Sequence, residues 1–428
     1  MSKTRLLLIS LVLAFSGLTP AGEDVRMLTV GGEGHRYWPG WRGPSAQGQV
    51  VGSGYPDTWS DTENVLWKIP VPGRGNSSPI VWGDRIFVTT AHEGGERLSL
   101  LCFQRSNGTL LWETRIPHRG VERGHRKNGH ASATPVTDGS RVYASFGTHG
   151  LVAVDFDGRV VWQRSLPPVE NYHGSAGSPV LYRDTVILYQ DHRGPSFVAA
   201  FDTTTGKTRW WSDRQATIGW GTPIVIRAGN RDELIVSSED EVTAYAPQTG
   251  RTLWTAIGNT FEVIPTPTVG HGLVFCSSGR AGPTLAIRPG GKGDVTDTHV
   301  AWRSAKGSPF IPSTILVGDQ LYMVNDMMSV VTSYEARTGK LVFQGRLGRP
   351  QKESFSASPV TVDGKVFFTN DSGETFVLKA GPKLEILHVN RLNASTLASP
   401  ALVDGRWYFR TDRELICIGS AGTTGGGG

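Results

Sequence analysis

Along most of this chain one pattern returns: a short apolar stretch, a polar turn, and a second apolar stretch that ends on an aromatic ring. Its fullest copy is AFDTTTGKTRWW, Ala200 to Trp211. Val198 to Phe201 is apolar and β-prone, Asp202 to Lys207 supplies small polar residues with Gly206 where a positive φ is expected, and Thr208 to Trp211 resumes the β pattern. Cys102 to Trp112, Ala153 to Trp162, Ala244 to Trp254 and Ser333 to Phe343 are variants. A second pattern precedes each copy, Ser-Pro or Thr-Pro followed by an apolar strand, a Gly/Asp turn and another apolar strand. Its second residues are Pro79, Pro135, Pro179, Pro223, Pro267, Thr314, Pro359 and Pro400, spaced 56, 44, 44, 44, 47, 45 and 41 residues apart. That period is the size of a four-stranded propeller blade. Proline fits the first residue of a strand, where its missing N–H costs no ladder bond. A unit of this kind cannot bury its apolar face alone, so copies must stack. The pattern predicts an all-β, eight-bladed β-propeller of four-stranded blades over residues 61–419.

The two ends of the array are incomplete in complementary ways. Val65 to Lys68 copies a fourth strand without the three that should precede it, whereas the last repeat has three strands and then ends in AGTTGGGG. The N-terminal strand is therefore expected to complete the last blade, which closes the ring and removes the exposed edges of an open sheet. Trp67, Trp112, Trp162, Trp210, Trp254, Trp302 and Phe343 recur once per blade, and blade seven has Ile386 or Leu387 there. Their expected role is structural docking, a ring filling the wedge between neighbouring blades.

Outside the repeat, residues 1–21 have a basic start, an apolar run from Leu6 to Phe15 and small residues before Gly22, the plan of a signal peptide. The run is too short for an ordinary transmembrane helix, and no cysteine precedes Cys102 to take a lipid. A soluble exported protein, periplasmic or extracellular and monomeric, is expected. Residues 22–60 form a Gly/Trp-rich leader, densest at WPGWRGP (Trp38 to Pro44) and expected to dock on the propeller's flank; residues 420–428 read as a flexible Gly-rich tail.

Composition adds little to this. With 54 Gly, 25 Pro and 13 Trp the chain suits turn-dense β architecture. The formal charge of +5 falls to +3 without Lys3 and Arg5 of the leader peptide, and no aromatic-basic array suggests nucleic acid. Cys102, Cys276 and Cys417 fall within strands and read as small buried residues rather than ligands or a disulfide.

Ala200, Asp202, Gly206, Lys207 and Trp210 form Ala-x-Asp-x-x-x-Gly-Lys-x-x-Trp, which resembles the tryptophan-docking motif of the pyrroloquinoline-quinone-type (PQQ-like) propellers. In length and blade number the chain is most similar to the BamB-like outer-membrane assembly scaffolds and to exported PQQ-like repeat proteins. The resemblance covers nearly everything from Val65 to Gly419. It implies the fold, and for the quinone enzymes of the superfamily it implies a vicinal disulfide, a Trp under the cofactor and a calcium held by acidic and amide groups. This chain has no adjacent cysteines; Trp220 and loop Asp, Glu and Asn residues could mimic parts of such a site. No cofactor is expected, with pyrroloquinoline quinone and calcium as the alternative.

Candidate chemistry lies in the loops that enter the first strands and join strands two and three, which emerge on one face. The longest insertion, between Trp112 and Pro135, holds His118, Arg119, Arg123, His125, Arg126, Lys127 and His130. As a metal site its histidine spacings of 7 and 5 fit no zinc signature. As an anion or acidic-partner site it offers four Arg/Lys beside His, and the bland alternative is a solvated loop. Asp191, Glu239, Asn325 and Asp371 of the other loops complete a candidate ring. Nucleophilic catalysis finds no support: there is no Gly-x-Ser-x-Gly, and Gly293 after Lys292 departs from a phosphate-binding loop. The expectation is a non-catalytic binding or scaffold module that offers its loop face to a protein or envelope glycan; the alternative is a quinone- and calcium-dependent dehydrogenase.

Overall fold

The computed structural model describes residues 25–279, 282–304, 308–326, 328–349 and 355–420; the expected signal peptide and all but the first residue of the expected tail lie outside them. Eight sheets, each with four antiparallel strands as its blade, form the ring; the sheet of blade four is extended to six strands, by Val25–Met27 on its inner edge and by a parallel pairing with Gly293–Asp294 on its outer edge. Blade one consists of Ile80–Trp82, Arg85–His92, Arg97–Gln104 and Leu110–Ile116, from the channel outward. Blades two to seven repeat the order over 136–164, 180–214, 224–257, 268–303, 315–346 and 360–391. Blade eight takes three strands from 401–418 and its outer strand, Val65–Pro70, from the other end of the chain. Val65 pairs with Ile418, Trp67 with Cys417 and Pro70 with Glu414. The ring is thus closed as the repeat pattern predicts.

The strands alternate between neighbouring interfaces, so the core is a series of apolar clusters between blades. Ile86, Val88 and Leu101 of blade one pack with Trp407, Phe409 and Ile416 of blade eight, all buried. The outer-strand rings sit at these seams. The indole N–H groups of Trp112, Trp162, Trp210 and Trp302 each donate at 2.9 Å to a backbone carbonyl of the next blade. Trp67 reaches from blade eight to Arg105 of blade one in the same way. Each of these rings covers the turn glycine of that blade: a Cβ on Gly206, at φ +68°, would lie 2.7 Å from the Trp162 ring. That close approach is why the turn keeps Gly. A register shift at this point of the outer strand, such as that between Ala200/Trp210 and Phe201/Thr208, recurs in every blade, and where the residue is aromatic it re-aims the ring sideways. Trp254 departs from the pattern. Blade five carries the insertion with strand Gly293–Asp294 and helix Thr296–His299 instead of the short turn, and Trp254 donates to Glu233 Oε2.

The Ser/Thr-Pro residues close a second ring around the channel. Ser78 N–H donates to Thr134 Oγ1, Thr134 to Ser178, Ser178 to Thr222, Thr266 to Ser313, Ser313 to Ser358, Ser358 to Ser399 and Ser399 back to Ser78, all within 2.9–3.2 Å. At the remaining seam, between Thr222 and Thr266, the Thr266 hydroxyl accepts the Trp41 indole N–H at 2.8 Å.

Trp41 belongs to the leader, whose path corrects the expectation of flank docking. The leader runs across the inner edges of the first strands. Val25–Met27 pairs with Ile226–Ala228 of blade four, Trp38 with Val81 of blade one, and Thr137 N–H of blade two donates to Pro39. Gln47 serves Pro267 and Val269 of blade five, Gln49 serves Leu316 of blade six, and Val50 N–H donates to Thr361 of blade seven. Trp59 then stacks into the blade seven and eight core on Phe367, Trp407 and Phe409. The physical reason is the unpaired main chain of an innermost strand, which needs a partner wherever water does not reach it. The chain's own leader therefore lies across one end of the channel.

Candidate functional site

The loops that lead into the first strands surround the other, open end. They enclose a cavity of about 400 Å³ whose floor is Trp41 and the Ser/Thr ring, and whose wall includes His125, Lys127, His173, Trp220 and Phe310. The basic insertion reaches this wall because it is tied down at several points. Glu122 accepts the Thr148 N–H at 2.9 Å and the Ser175 hydroxyl at 2.6 Å. His125 and Asn128 exchange backbone bonds of 2.8 and 2.9 Å, Asn128 Nδ2 donates to the His173 carbonyl, and Asn76 Nδ2 donates to the Lys127 carbonyl. The anchored turn sets His125 against His173 at 4.4 Å between centroids and a tilt of 46°, and His173 stacks over Trp220 at 5.9 Å and 29°. Tyr172 meets both rings edge-on and donates to Glu262.

Lys127 crosses the mouth to blade seven, where its Nζ is 2.6 Å from Asp371 Oδ2 with both side chains mostly covered. Asp326 of blade six completes a charged group. It is buried, accepts the Phe310 N–H at 3.1 Å, and burial pushes its carboxyl up to about 6, against the pull of Lys127.

The sequence candidates therefore separate. His125, Lys127 and Asp371 meet at the mouth. His125, Arg126 and His130 also line an adjoining groove, and Arg123 and His130 border a small cleft beside it. Arg119 is exposed on the insertion. Glu239 accepts from Thr217, and Asn325 Nδ2 donates to the Ser308 carbonyl. Asp191 does not face a partner: it is 1 % exposed, clamped by Arg214 through bonds of 2.8 and 3.2 Å. An isolated carboxylate could not be buried so deeply, and the guanidinium that compensates it stands 23 residues away, where the sequence offers no reason to pair them. Trp220, which the sequence offers only as a mimic of a quinone-site tryptophan, His173 and Trp41 gain their place from loops and leader. For His173 the one signal in the sequence is its position just before a Ser-Pro strand, on the entering-loop face.

The residues present do not fit a calcium-held quinone. Among the described residues no three His, Cys, Asp or Glu side chains converge as ligands, the three thiols are buried and free, Asp371 is engaged by Lys127, and the Trp220 indole is stacked by His173 and donates to the Gly174 carbonyl.

One pH effect follows from the histidines beneath the insertion. His149 is 9 % exposed, its ring packs 4.4 Å from that of His118, and burial with His118 and His130 nearby lowers it to about 4. Unfolded, the same imidazole titrates near 6.5, so between pH 6.5 and 4 the unfolded chain binds the extra proton and stability falls as pH falls. Asp326, raised in the fold, acts in the opposite sense over about pH 6 to 4. His149→Gln is expected to reduce the loss between pH 7.5 and 4.5 by roughly 1–3 kcal/mol in urea melts; an unchanged pH dependence would contradict the burial argument.

Comparison with known proteins follows the same lines. The profile of the family described as outer membrane protein assembly factor BamB matches residues 40–190 and 194–422. A search of curated proteins finds no match. Among solved structures, BamB from Moraxella catarrhalis is similar with a TM-score of 0.61 at 14% identity, over 83% of this chain and 99% of that one. A europium-containing methanol dehydrogenase aligns with a TM-score of 0.65 at 11% identity, over 88% and 90%. The quinohemoprotein alcohol dehydrogenase from Comamonas testosteroni aligns with a TM-score of 0.63 at 10% identity, over 92% and 82%. At these identities the solved structures speak for the fold alone.

Proposed function

Since the chain belongs to the family described as outer membrane protein assembly factor BamB, we propose that it is an exported, non-catalytic binding module that holds a partner protein at the open, loop-bearing face of the ring. The observation that carries this reading is the inequality of the two ends. The leader lies across one, while the anchored insertion builds the other into a walled mouth with a Lys127–Asp371 pair and a His125, His173, Trp220 ring cluster. A rigid rim of aromatic and charged groups around a concave floor suits protein recognition. Among the described residues no helix is long and apolar enough to cross a membrane, and export rests on the signal-peptide plan of residues 1–21. A protein partner is preferred to an envelope glycan because the family description names protein assembly.

The test places a photo-reactive phenylalanine analogue at Ser132, on the mouth, and separately at Ser140, in an exposed turn at the far end of the inner strand. A defined protein adduct is expected from envelope extracts with the first and not the second. Equal adducts from both positions, or none from Ser132, would remove the reading. A parallel melt with pyrroloquinoline quinone and calcium addresses the alternative, since a ligand of the native state raises the melting temperature. A rise accompanied by dye reduction with an alcohol would install the dehydrogenase instead.

A further inference from the structure

Beside the central mouth, at the seam where blade eight meets blade one, lies a separate groove of about 650 Å³. Its base is Arg410, the last residue of the strand Arg406–Arg410, a position that the repeat pattern marks only as strand. Arg410 is 2 % exposed. Its Nη1 donates to Ser77 Oγ at 2.7 Å and to the Thr89 carbonyl at 2.6 Å, so the guanidinium is fixed from behind. Glycine at position 75 leaves room for its Nη2: a Cβ there would lie 2.7 Å from that nitrogen. No carboxylate contributes to its environment, and burial alone holds it down, to about 9. A desolvated cation with only neutral acceptors is costly in a fold unless an anion can reach it.

The rim supplies the same sign of charge. Arg74 and Arg413 are exposed on opposite walls, and Arg126 of the insertion faces the groove between them. Among the described residues of the lining the carboxylates are Glu93 and Asp412; Asp412 is 3.6 Å from Arg413, and Glu93 is 4.0 Å from Arg97. The lining otherwise consists of glycine backbone, imidazoles, Asn76, Leu397 and small side chains such as Ala91, Ala398 and Ser395. It contains no Trp, Tyr or Phe, hence no platform for a sugar ring or a base. The volume is that of a pocket for an organic ligand rather than for one ion.

We propose that this seam is a docking site for an acidic peptide segment, one of whose side-chain carboxylates sits on the Arg410 fork while its neighbours pair with Arg74 and Arg413. The planar guanidinium matches a carboxylate through two parallel N–H donors, and the rim arginines steer the approach. This deepens the reading above, on which it rests for a protein partner, but it concerns a different pocket of the same face. The adduct at Ser132 can therefore succeed where the seam fails, and the two failures are told apart.

The probe is a fluorescent decapeptide of Glu alternating with Ser, with a Gln-for-Glu decapeptide as control, followed by anisotropy at 50 and 200 mM salt. The Glu peptide is expected to bind and the control not, and the Arg74→Gln/Arg413→Gln double variant to weaken binding at least tenfold with a flatter salt dependence. Arg410→Lys keeps the charge and removes the fork, and is expected to lose at least tenfold as well. Should it fold poorly, the exposed double variant decides alone. Equal binding of the control peptide, or parental affinity in the double variant, overturns the site. Displacement of the Glu peptide by inorganic phosphate where chloride at equal ionic strength has no effect would assign the groove to phosphate and overturn the peptide. Displacement by a uronic-acid oligomer at matched charge concentration would overturn it in favour of a glycan.

Discussion

Removing residues 61–70 is expected to turn a soluble, cooperatively melting ring into a protein that aggregates on expression. The segment supplies the outer strand of blade eight, and without it Glu414–Ile418 becomes an unpaired edge beside a half-open core. What is lost can be sized. Val65, Trp67 and Ile69 are partly buried against the blade eight and blade one cluster, and the strand pairs antiparallel with Glu414–Ile418 along its length, with one register shift at Leu66. Roughly 1 kcal/mol per half-buried side chain and about 0.5–1 kcal/mol per net main-chain bond give on the order of 5 kcal/mol. That is comparable to the whole stability of many proteins, about 5–15 kcal/mol, and the freed edge is itself a template for association. Trp67→Ala separates the two effects, since it keeps the ladder but uncovers Gly108 and removes the bond to Arg105. It is expected to remain soluble while losing about 2–4 kcal/mol in urea. If the deletion stays soluble and melts within a couple of degrees of the parent, closure by this strand does not hold the ring.

How far the sequence reveals this molecule depends on whether a feature repeats. The blade order and the closing strand are legible because each blade solves the same packing problem with the same residues, and a missing fourth strand at one end matches a spare one at the other. The Ser/Thr-Pro residues show the limit of that reading. Their spacing marks strand starts, but that their hydroxyls bind the next blade's N–H around the channel emerges only once the blades are side by side. The leader has no period, and its path along the inner edges is set by main-chain groups that every sequence possesses. Single long-range pairs are the least legible. Lys127 and Asp371 stand 244 residues apart, and both are ordinary loop residues until ring closure sets blades seven and one on either side of blade eight, around one mouth.

Arg214→Met is expected to cost about 3–5 kcal/mol, a far larger loss than any surface arginine could produce. Arg214 ends the outer strand of blade three, and its guanidinium spans the seam to blade four. Nε and Nη2 grip Asp191, Nη2 also donates to Ser238 Oγ at 2.9 Å, Nη1 donates to the Tyr245 hydroxyl, and the charge lies 5.4 Å over the Tyr189 ring. Tyr189 donates to Asp191 Oδ2 at 2.9 Å, and burial pushes its phenol well above the ordinary range, so it stays a donor. Every oxygen of the buried carboxylate is thereby occupied, and removing Arg214 strands that charge in a site with almost no access to water. Asp191→Asn in the same chain removes the stranded charge. The double variant should recover at least half of the loss, because a pair replaced on both sides forfeits only its net contribution, whereas a pair broken on one side bears the full desolvation of the survivor. Equal urea midpoints for the single and double variants would show that Asp191 is not held by Arg214, and would return it to the loop-face residues open to a partner.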